Sequence, residues 1–340
     1  FNRTPLNIAI QSKNIEVIEF LLTIKNIDVN SSEGWPLRDA YETGVDEIIQ
    51  LLLNDKRIKL SKNVLTECEK ITEIQIPEFI TKIGRYAFLK CINLTKISLP
   101  QSLTIIKDEA FSKCSSLKEI IIPSSVTSIG DNCFHDCEQL QNITLSQSLV
   151  SIGNCCFAKC KSLTKIEIPS SVMKIGKETF NDCQSLEIIT LSSLIKTIED
   201  GLFNGCSSLK QISIPESVVS IGWFSFQGCS KLTDISIPSS VTEIGESAFQ
   251  ECTLLKNVEI PSSVNKIGKF AFKLCTSLEE ITVPSSITTI EDGTFNKCKS
   301  LTKVNLPSSI TSIGSDVFTE TNVNLFTKYN YLLRKIPFFK

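Results

Sequence analysis

Residues 94–114 read LTKISLPQSLTIIKDEAFSKC, and the interval at which this stretch recurs decides the fold. Leu94, Ile97 and Leu99 alternate with polar Lys96 and Ser98, which is the pattern of a short strand with one buried face. Pro100 follows; it has no N–H to donate and so ends the ladder. Leu103 and Ile106 are the next inward residues, then Ala110, Phe111 and Cys114. Phenylalanine returns at 88, 111, 134, 157, 180, 203, 226, 249, 272, 295 and 318, always 23 apart. Cysteine keeps that interval from Cys68 to Cys298, leucine from Leu94 to Leu301, and isoleucine from Ile83 to Ile313. Nine of the twelve prolines share a further column, whose two gaps are Ser146 and Ser192.

A unit of this size cannot bury its own apolar face; stacked copies bury it against each other and form a solenoid. Parallel strands step about 4.8 Å per coil, so about eleven coils would extend about 50 Å, with the phenylalanines as an interior column. Glycine marks a turn at Gly84, at Gly130 and in six further coils as far as Gly314. Lys107, Glu199 and Glu291 replace it, so the column does not demand positive φ. The spacing L-x-x-I-x-L-P resembles leucine-rich repeats. The full unit, L-x-x-I-x-L-P-x-S-V-x-x-I-G-x-x-A-F-x-x-C, is similar to their BspA-like subclass. The resemblance implies short parallel strands on one side and an irregular, turn-rich convex side over residues 61–324. The ladder asparagine of commoner leucine-rich repeats is serine here, at 102, 125, 148, 171 and on to 309, and a hydroxyl bridges coils less extensively than an amide.

Residues 1–60 lack the 23-residue interval and contain no cysteine. Thr4-Pro5-Leu6, Ala9 and Glu16–Leu22 lead to Asp28-Val29-Asn30; a second copy, 31 residues on, runs through Trp35-Pro36-Leu37, Ala40 and Glu47–Leu53. Proline at a helix start, and a second helix rich in Ile and Leu, suit helix pairs. The pieces TPL-x-x-A and E-V-x-x-x-L-L-x-x-x-x-x-D-V-N resemble ankyrin repeats, although Asn7 and Arg38 stand where that family has histidine. Two such units are too few to be stable alone. Either more precede them, or they cap the open end of the solenoid. Residues 61–67 hold no Gly/Pro-rich linker, which favours a packed junction. After Phe318 the pattern fails, with Thr321 in the cysteine column and Asn324 in the leucine column. Residues 325–340 read as a cap or a truncated tail. Starting at Phe1, with Met173 its only methionine, the chain reads as a piece of a longer protein.

Hydrophobic residues make up 41% of the chain, enough for a packed core. Net charge is −2, which argues against nucleic acid or an anionic membrane as partner. No apolar run approaches the 18 or so residues of a spanning helix, so no membrane insertion is expected. The only histidine, His135, lies between Cys133 and Cys137. Register separates them. Cys137 belongs to the cysteine column and Cys133 to a small-residue column, while His135 is in a variable, solvated one. No tetrahedral metal site is expected from them. Stacked cysteine side chains point the same way, which opposes disulfides and favours buried thiols. Cys155, beside Cys156, is the candidate exposed and reactive thiol. No nucleophile, phosphate loop, zinc-hydrolase helix or dinucleotide fingerprint accompanies the histidine, so neither catalysis nor a cofactor is expected.

Function then falls to the surface. Asp234, Glu259 and Glu280 are outward strand positions within three coils, suited to a basic partner. On the turn after the glycine most coils carry polar pairs, but Arg85-Tyr86, Trp223-Phe224 and Lys269-Phe270 bring aromatics. Aromatics beside a cation are the composition of a binding hot spot. A non-enzymatic protein-binding scaffold is the leading expectation. A surface adhesin or antigen, contacting host or matrix proteins, is what the BspA-like resemblance implies. The ankyrin-like segment and the thiols lean towards the cytoplasm. Asn2, Asn30, Asn93 and Asn142 begin glycosylation triplets, which lean the other way.

Overall fold

The computed structural model describes residues 4–60 and 64–323, without the side chains of residues 32–35. Asn2, Asn324 and the 325–340 segment therefore lie outside the described residues. The chain divides into two compact units, 1–162 and 163–340.

The first unit opens with four helices: α1 (Pro5–Gln11), α2 (Ile15–Thr23), α3 (Ser31–Thr43) and α4 (Asp46–Asn54). Thr4 caps α1 with a reciprocal box, its hydroxyl accepting from the Asn7 N–H while the Asn7 side chain receives the Thr4 N–H. α1 packs on α2 and α3, and α4 packs on both α2 and α3, so the two helix pairs stack. Asn7 is buried and donates to Asp39 at 2.9 Å. Asn30 bridges the two copies, giving its amide to Arg57 O at 2.7 Å and accepting from Lys59 N at 2.8 Å. The second copy departs from the expected start at Trp35-Pro36. No threonine caps it there, and α3 begins earlier, at Ser31, and runs through Pro36, which forfeits one i→i−4 bond.

The coils follow without a gap in packing: Val64, Leu65 and Cys68 are buried, and Leu65 N donates to Ala87 O at 2.8 Å. Each coil contributes a three-residue and a two-residue strand, first β1 (Glu73–Gln75) and β2 (Lys82–Ile83), then β3 (Lys96–Ser98) and β4 (Ile105–Ile106). Pairing is parallel at the 23-residue interval, Ile74 with Ile97 and Ile83 with Ile106, and continues through Ile129 to Ile152. In both strands the central or terminal isoleucine faces inward and its polar neighbours face out.

The second unit repeats this arrangement. Strands Asp234–Ser236, Asn257–Glu259, Glu280–Thr282 and Lys303–Asn305 form one parallel sheet, and Thr197–Ile198 through Lys266–Ile267 form another. Gln211–Ser213, read as a strand from the sequence, keeps only a single bridge from Ser213 to Ser236.

Within each unit the phenylalanine rings stack. Centroids are 5.1, 5.4 and 5.5 Å apart from Phe88 to Phe157, and 5.3–5.8 Å apart from Phe180 to Phe318. Phe88 to Phe295 are fully buried, whereas Phe318 is half-buried. The cysteine column ties coil to coil: Cys114 Sγ donates to Phe88 O at 3.1 Å, Cys298 Sγ to Phe272 O at 3.1 Å. The serine hydroxyls do likewise, Ser102 to Ile80 O at 2.8 Å and Ser263 to Val241 O at 2.7 Å. Where serine replaces proline, Ser146 and Ser192 give their own hydroxyls to Ser124 O and Ser170 O, each at 3.1 Å.

Candidate functional site

The turn carrying the aromatics is built from left-handed residues, and they are not the glycine column. Positive φ falls two residues beyond it, at Tyr86, Glu109, Asn132, Cys155, Glu178, Gly201, Phe224, Ser247, Phe270, Gly293 and Asp316, and again four residues later, from Lys90 to Glu320. The glycine column is needed for space instead: a Cβ on Gly130 would stand 2.4 Å from Asp108 N of the preceding coil. Sequence reading missed the left-handed positions because side chains of every kind occupy them. The faint signal was Gly201 and Gly293 in the first column and Gly205 and Gly228 in the second.

Main-chain bonds between coils fix these turns. Phe224 N donates to Glu246 O at 2.9 Å, Ser247 N to Lys269 O at 2.8 Å, and Phe270 N to Asp292 O at 3.0 Å. The turns therefore display side chains from a rigid frame. Trp223 is 54% exposed and Phe224 37% exposed, the largest aromatic surface on the described turns. Phe224 and Phe270 stand in one column, about 10 Å apart by coil spacing, with the small, buried Ser247 between them. Phe270 is half-buried, its ring lying over Gly293 with Lys273 Nζ 5.1 Å from the ring centroid. Lys269 is held by Asp292 at 2.9 Å. That contact, with two more hydrogen bonds from Ser315, lowers the Asp292 carboxyl to about 2. In the first unit Tyr86 is half-buried, with the Arg85 guanidinium 4.7 Å from its ring centroid.

The three outward acids do not form one patch. Asp234 and Glu280 share a column with Asn257 between them, and Glu259 lies in the other outward column, between Ser236 and Thr282. Glu280 is paired with Lys303 at 2.5 Å and accepts from Asn305 at 3.1 Å, and the Lys303 ammonium first among these lowers its carboxyl.

Cys133 and Cys137 are fully buried, and burial pushes both thiols up. His135 is half-buried rather than solvated, with Nδ1 3.2 Å from Asp136; burial lowers its pKa against the pull of that carboxylate. Among the described residues no cluster of three or more His, Cys, Asp or Glu is placed to hold a metal. None of the fourteen cysteines is in a disulfide, and Cys155, expected to be exposed, is half-buried.

Comparison with known proteins gives the lineage. The model of the BspA type leucine-rich repeat region matches residues 43–161, 127–252 and 219–336, and the ankyrin repeat model matches residues 1–31. Comparison with curated protein sequences gave no significant match. Among solved structures, the chain is similar to a leucine-rich repeat protein of Bacteroides ovatus, at 28% identity and a TM-score of 0.52 over 73% of this chain and 84% of that one. Its fold is also like that of the pneumococcal vaccine antigen PcpA, at 21% identity and a TM-score of 0.52 over 74% and 68% of the two chains. A leucine-rich repeat protein of Eubacterium ventriosum matches at 24% identity and a TM-score of 0.50 over 77% and 86%.

Proposed function

Because the chain belongs to the BspA type leucine-rich repeat proteins, we infer that it is a scaffold that binds a protein partner, through the turn surface of its second unit. The observation that carries this reading is Trp223, more than half exposed on a turn pinned by coil-to-coil bonds. An apolar ring held rigidly in water loses little conformational entropy on binding and gains its full burial. Phe224, Phe270 and Lys269 extend the same surface, and Tyr86 with Arg85 offers a smaller counterpart in the first unit. Asp234, Glu259 and Glu280 contribute as separate charges on the strand side. The test is a comparison of wild type with Trp223→Ala and Phe270→Ala, immobilised and offered matrix proteins, whole host cells and cytosolic extract. Loss of a bound protein in both variants, at unchanged thermal stability, supports the surface; unchanged binding of every partner refutes it.

A second reading makes the chain a surface adhesin or antigen. It draws on the family and on the description of PcpA as a vaccine antigen. Biotinylation of intact cells separates the two, since an external reagent labels only the surface protein.

A further inference from the structure

A cavity of about 290 Å³ lies in the first unit where the helices meet the first coils, lined by Tyr41, Asp46, Gln50, Glu73, Gln75 and Lys96 among others. Its origin is a missing strand. Leu60 stands 23 residues before Ile83 and behaves as a coil residue: its carbonyl accepts from Gly84 N at 2.7 Å, as Ile83 O accepts from Lys107 N at 3.0 Å. Gln50–Leu52 stand 23 residues before β1 and should form its neighbouring strand, but they belong to α4. β1 is thus an edge. Lys96 N donates to Thr72 O at 3.3 Å, and Ile76 N to Ser98 O at 2.9 Å, so β3 uses the main-chain groups of the even-numbered residues. Alternation along a strand turns the N–H and C=O of Glu73 and Gln75 to the opposite edge. Among the described residues nothing hydrogen-bonds them there. Such an edge is a template for another strand.

Two further features point to a ligand. Tyr41 is only 6% exposed and lines the cavity, yet its hydroxyl has no hydrogen-bond partner among the described residues. Burial foremost, with negative charge nearby including Asp46, pushes its phenol up, so it remains a donor at neutral pH. Asp46 and Glu73 face the cavity from the helix and strand walls, and among the described residues neither is in an ion pair. Lys96, opposite Glu73 in the ladder, is likewise without one. The lining therefore carries one net negative charge.

We propose that this groove takes an extended peptide segment of a partner protein, which adds to the free edge of β1 and sets a basic side chain between Asp46 and Glu73. The Tyr41 hydroxyl donates to a carbonyl of that segment. Main-chain pairing supplies affinity and the two acids supply selectivity. The groove is a different surface from the turn aromatics, so the failure of either leaves the other standing.

The test uses the whole 340-residue chain and a fluorescein-labelled hexapeptide of alternating threonine and valine with one lysine. Two counterparts accompany it, one with glutamate for the lysine and one N-methylated at alternate amides. In the free protein the amides of Glu73 and Gln75 exchange fast with deuterium while those of Ile74 and Ile76 are protected. The lysine peptide slows the first pair by at least about tenfold. N-methylation, glutamate in the peptide, or the variant pair Asp46→Asn with Glu73→Gln each weakens binding by at least about tenfold, or about 1.4 kcal/mol. The proposal is overturned if Glu73 and Gln75 are already as protected as their neighbours, if the N-methylated peptide binds equally well, or if no peptide binds by about 1 mM.

Discussion

Replacing Phe134 by alanine tests the stacked column at its centre. The ring is fully buried and stacks at 5.4 Å on Phe111 and 5.5 Å on Phe157. Its removal forfeits the transfer of a benzyl group and leaves a cavity that rigid neighbouring coils cannot close, a cost of about 3–5 kcal/mol. Two lost ring contacts, each worth about 0.5–1.5 kcal/mol, place it at the upper end of that range. Phe318 offers the internal comparison: half-buried, and stacked on one ring, Phe295, at 5.8 Å. Phe318→Ala should cost less than half as much, about 1–2 kcal/mol. A solenoid opens coil by coil, so a single unfolding midpoint is a poor readout. Hydrogen exchange reads each coil directly. In Phe134→Ala, the amides of Phe111 and residue 134, which bond to Cys133 O and Cys156 O, should lose most of their protection, and the loss should fade within two or three coils. Equal costs for the two variants, or a loss below about 1 kcal/mol at Phe134, would refute the interior column.

Three further outcomes follow from the same geometry. Gly130→Ala places a Cβ 2.4 Å from Asp108 N and must push adjacent coils apart, whereas Gly228→Ala meets nothing closer than 3.6 Å and suffers only its φ of 72°. Chemical denaturation should show about 2–3 kcal/mol for the first and about 1 kcal/mol for the second, and the reverse order would refute the steric account of the glycine column. Ser225 buries a hydroxyl with no partner among the described residues, while Thr294 in the same column donates to Glu291 O at 2.7 Å. Ser225→Ala should therefore stabilise by about 1 kcal/mol, and Thr294→Ala should not. Burial pushes the thiols of Cys68 and Cys298 up to about 12 from an ordinary value of 9.0. Above pH 9 the unfolded chain sheds protons that the folded chain keeps, so stability is full below that pH and falls between 9 and 12. A urea midpoint flat across this window would contradict the buried column.

The legible portion of this fold is the portion that repeats by translation. Phe111, Cys114 and Leu117 each meet the same neighbours as their counterparts one coil away, so selection returns the same side chain at every step and the column can be read from the letters alone. The left-handed turn positions repeat just as strictly in φ, but their side chains point away from the stack and are not constrained by it. Glu109, Asn132, Cys155 and Phe224 share one backbone conformation and no chemistry. The start of α3 was hidden for a different reason: Pro36 marks a helix start only where a cap precedes it, and Asn30 makes no side-chain capping bond. The missing strand at Gln50–Leu52 was hidden because a 23-residue count says where a strand belongs, not whether a neighbouring helix has taken those residues.

That division also locates function. A position that must look alike in every coil is committed to stacking, and altering it for a partner would disturb two neighbours. Only residues that break a column without weakening it are available for recognition. Trp223, Phe224 and Phe270 break the polar turn columns of Asp108 and Glu109, Asp131 and Asn132, and their main chains keep the same coil-to-coil bonds. Gln50 breaks the strand column altogether and opens the edge of β1. A partner selected by this protein would therefore meet it where the repeat is irregular, and chimaeras test this directly. Replacing Trp223-Phe224 with the Asp108-Glu109 pair of an ordinary coil should leave the stack intact by hydrogen exchange and abolish partner binding. Retained binding in such a chimaera would mean that recognition lies in the regular columns, and the surface assigned to the second unit would have to be given up.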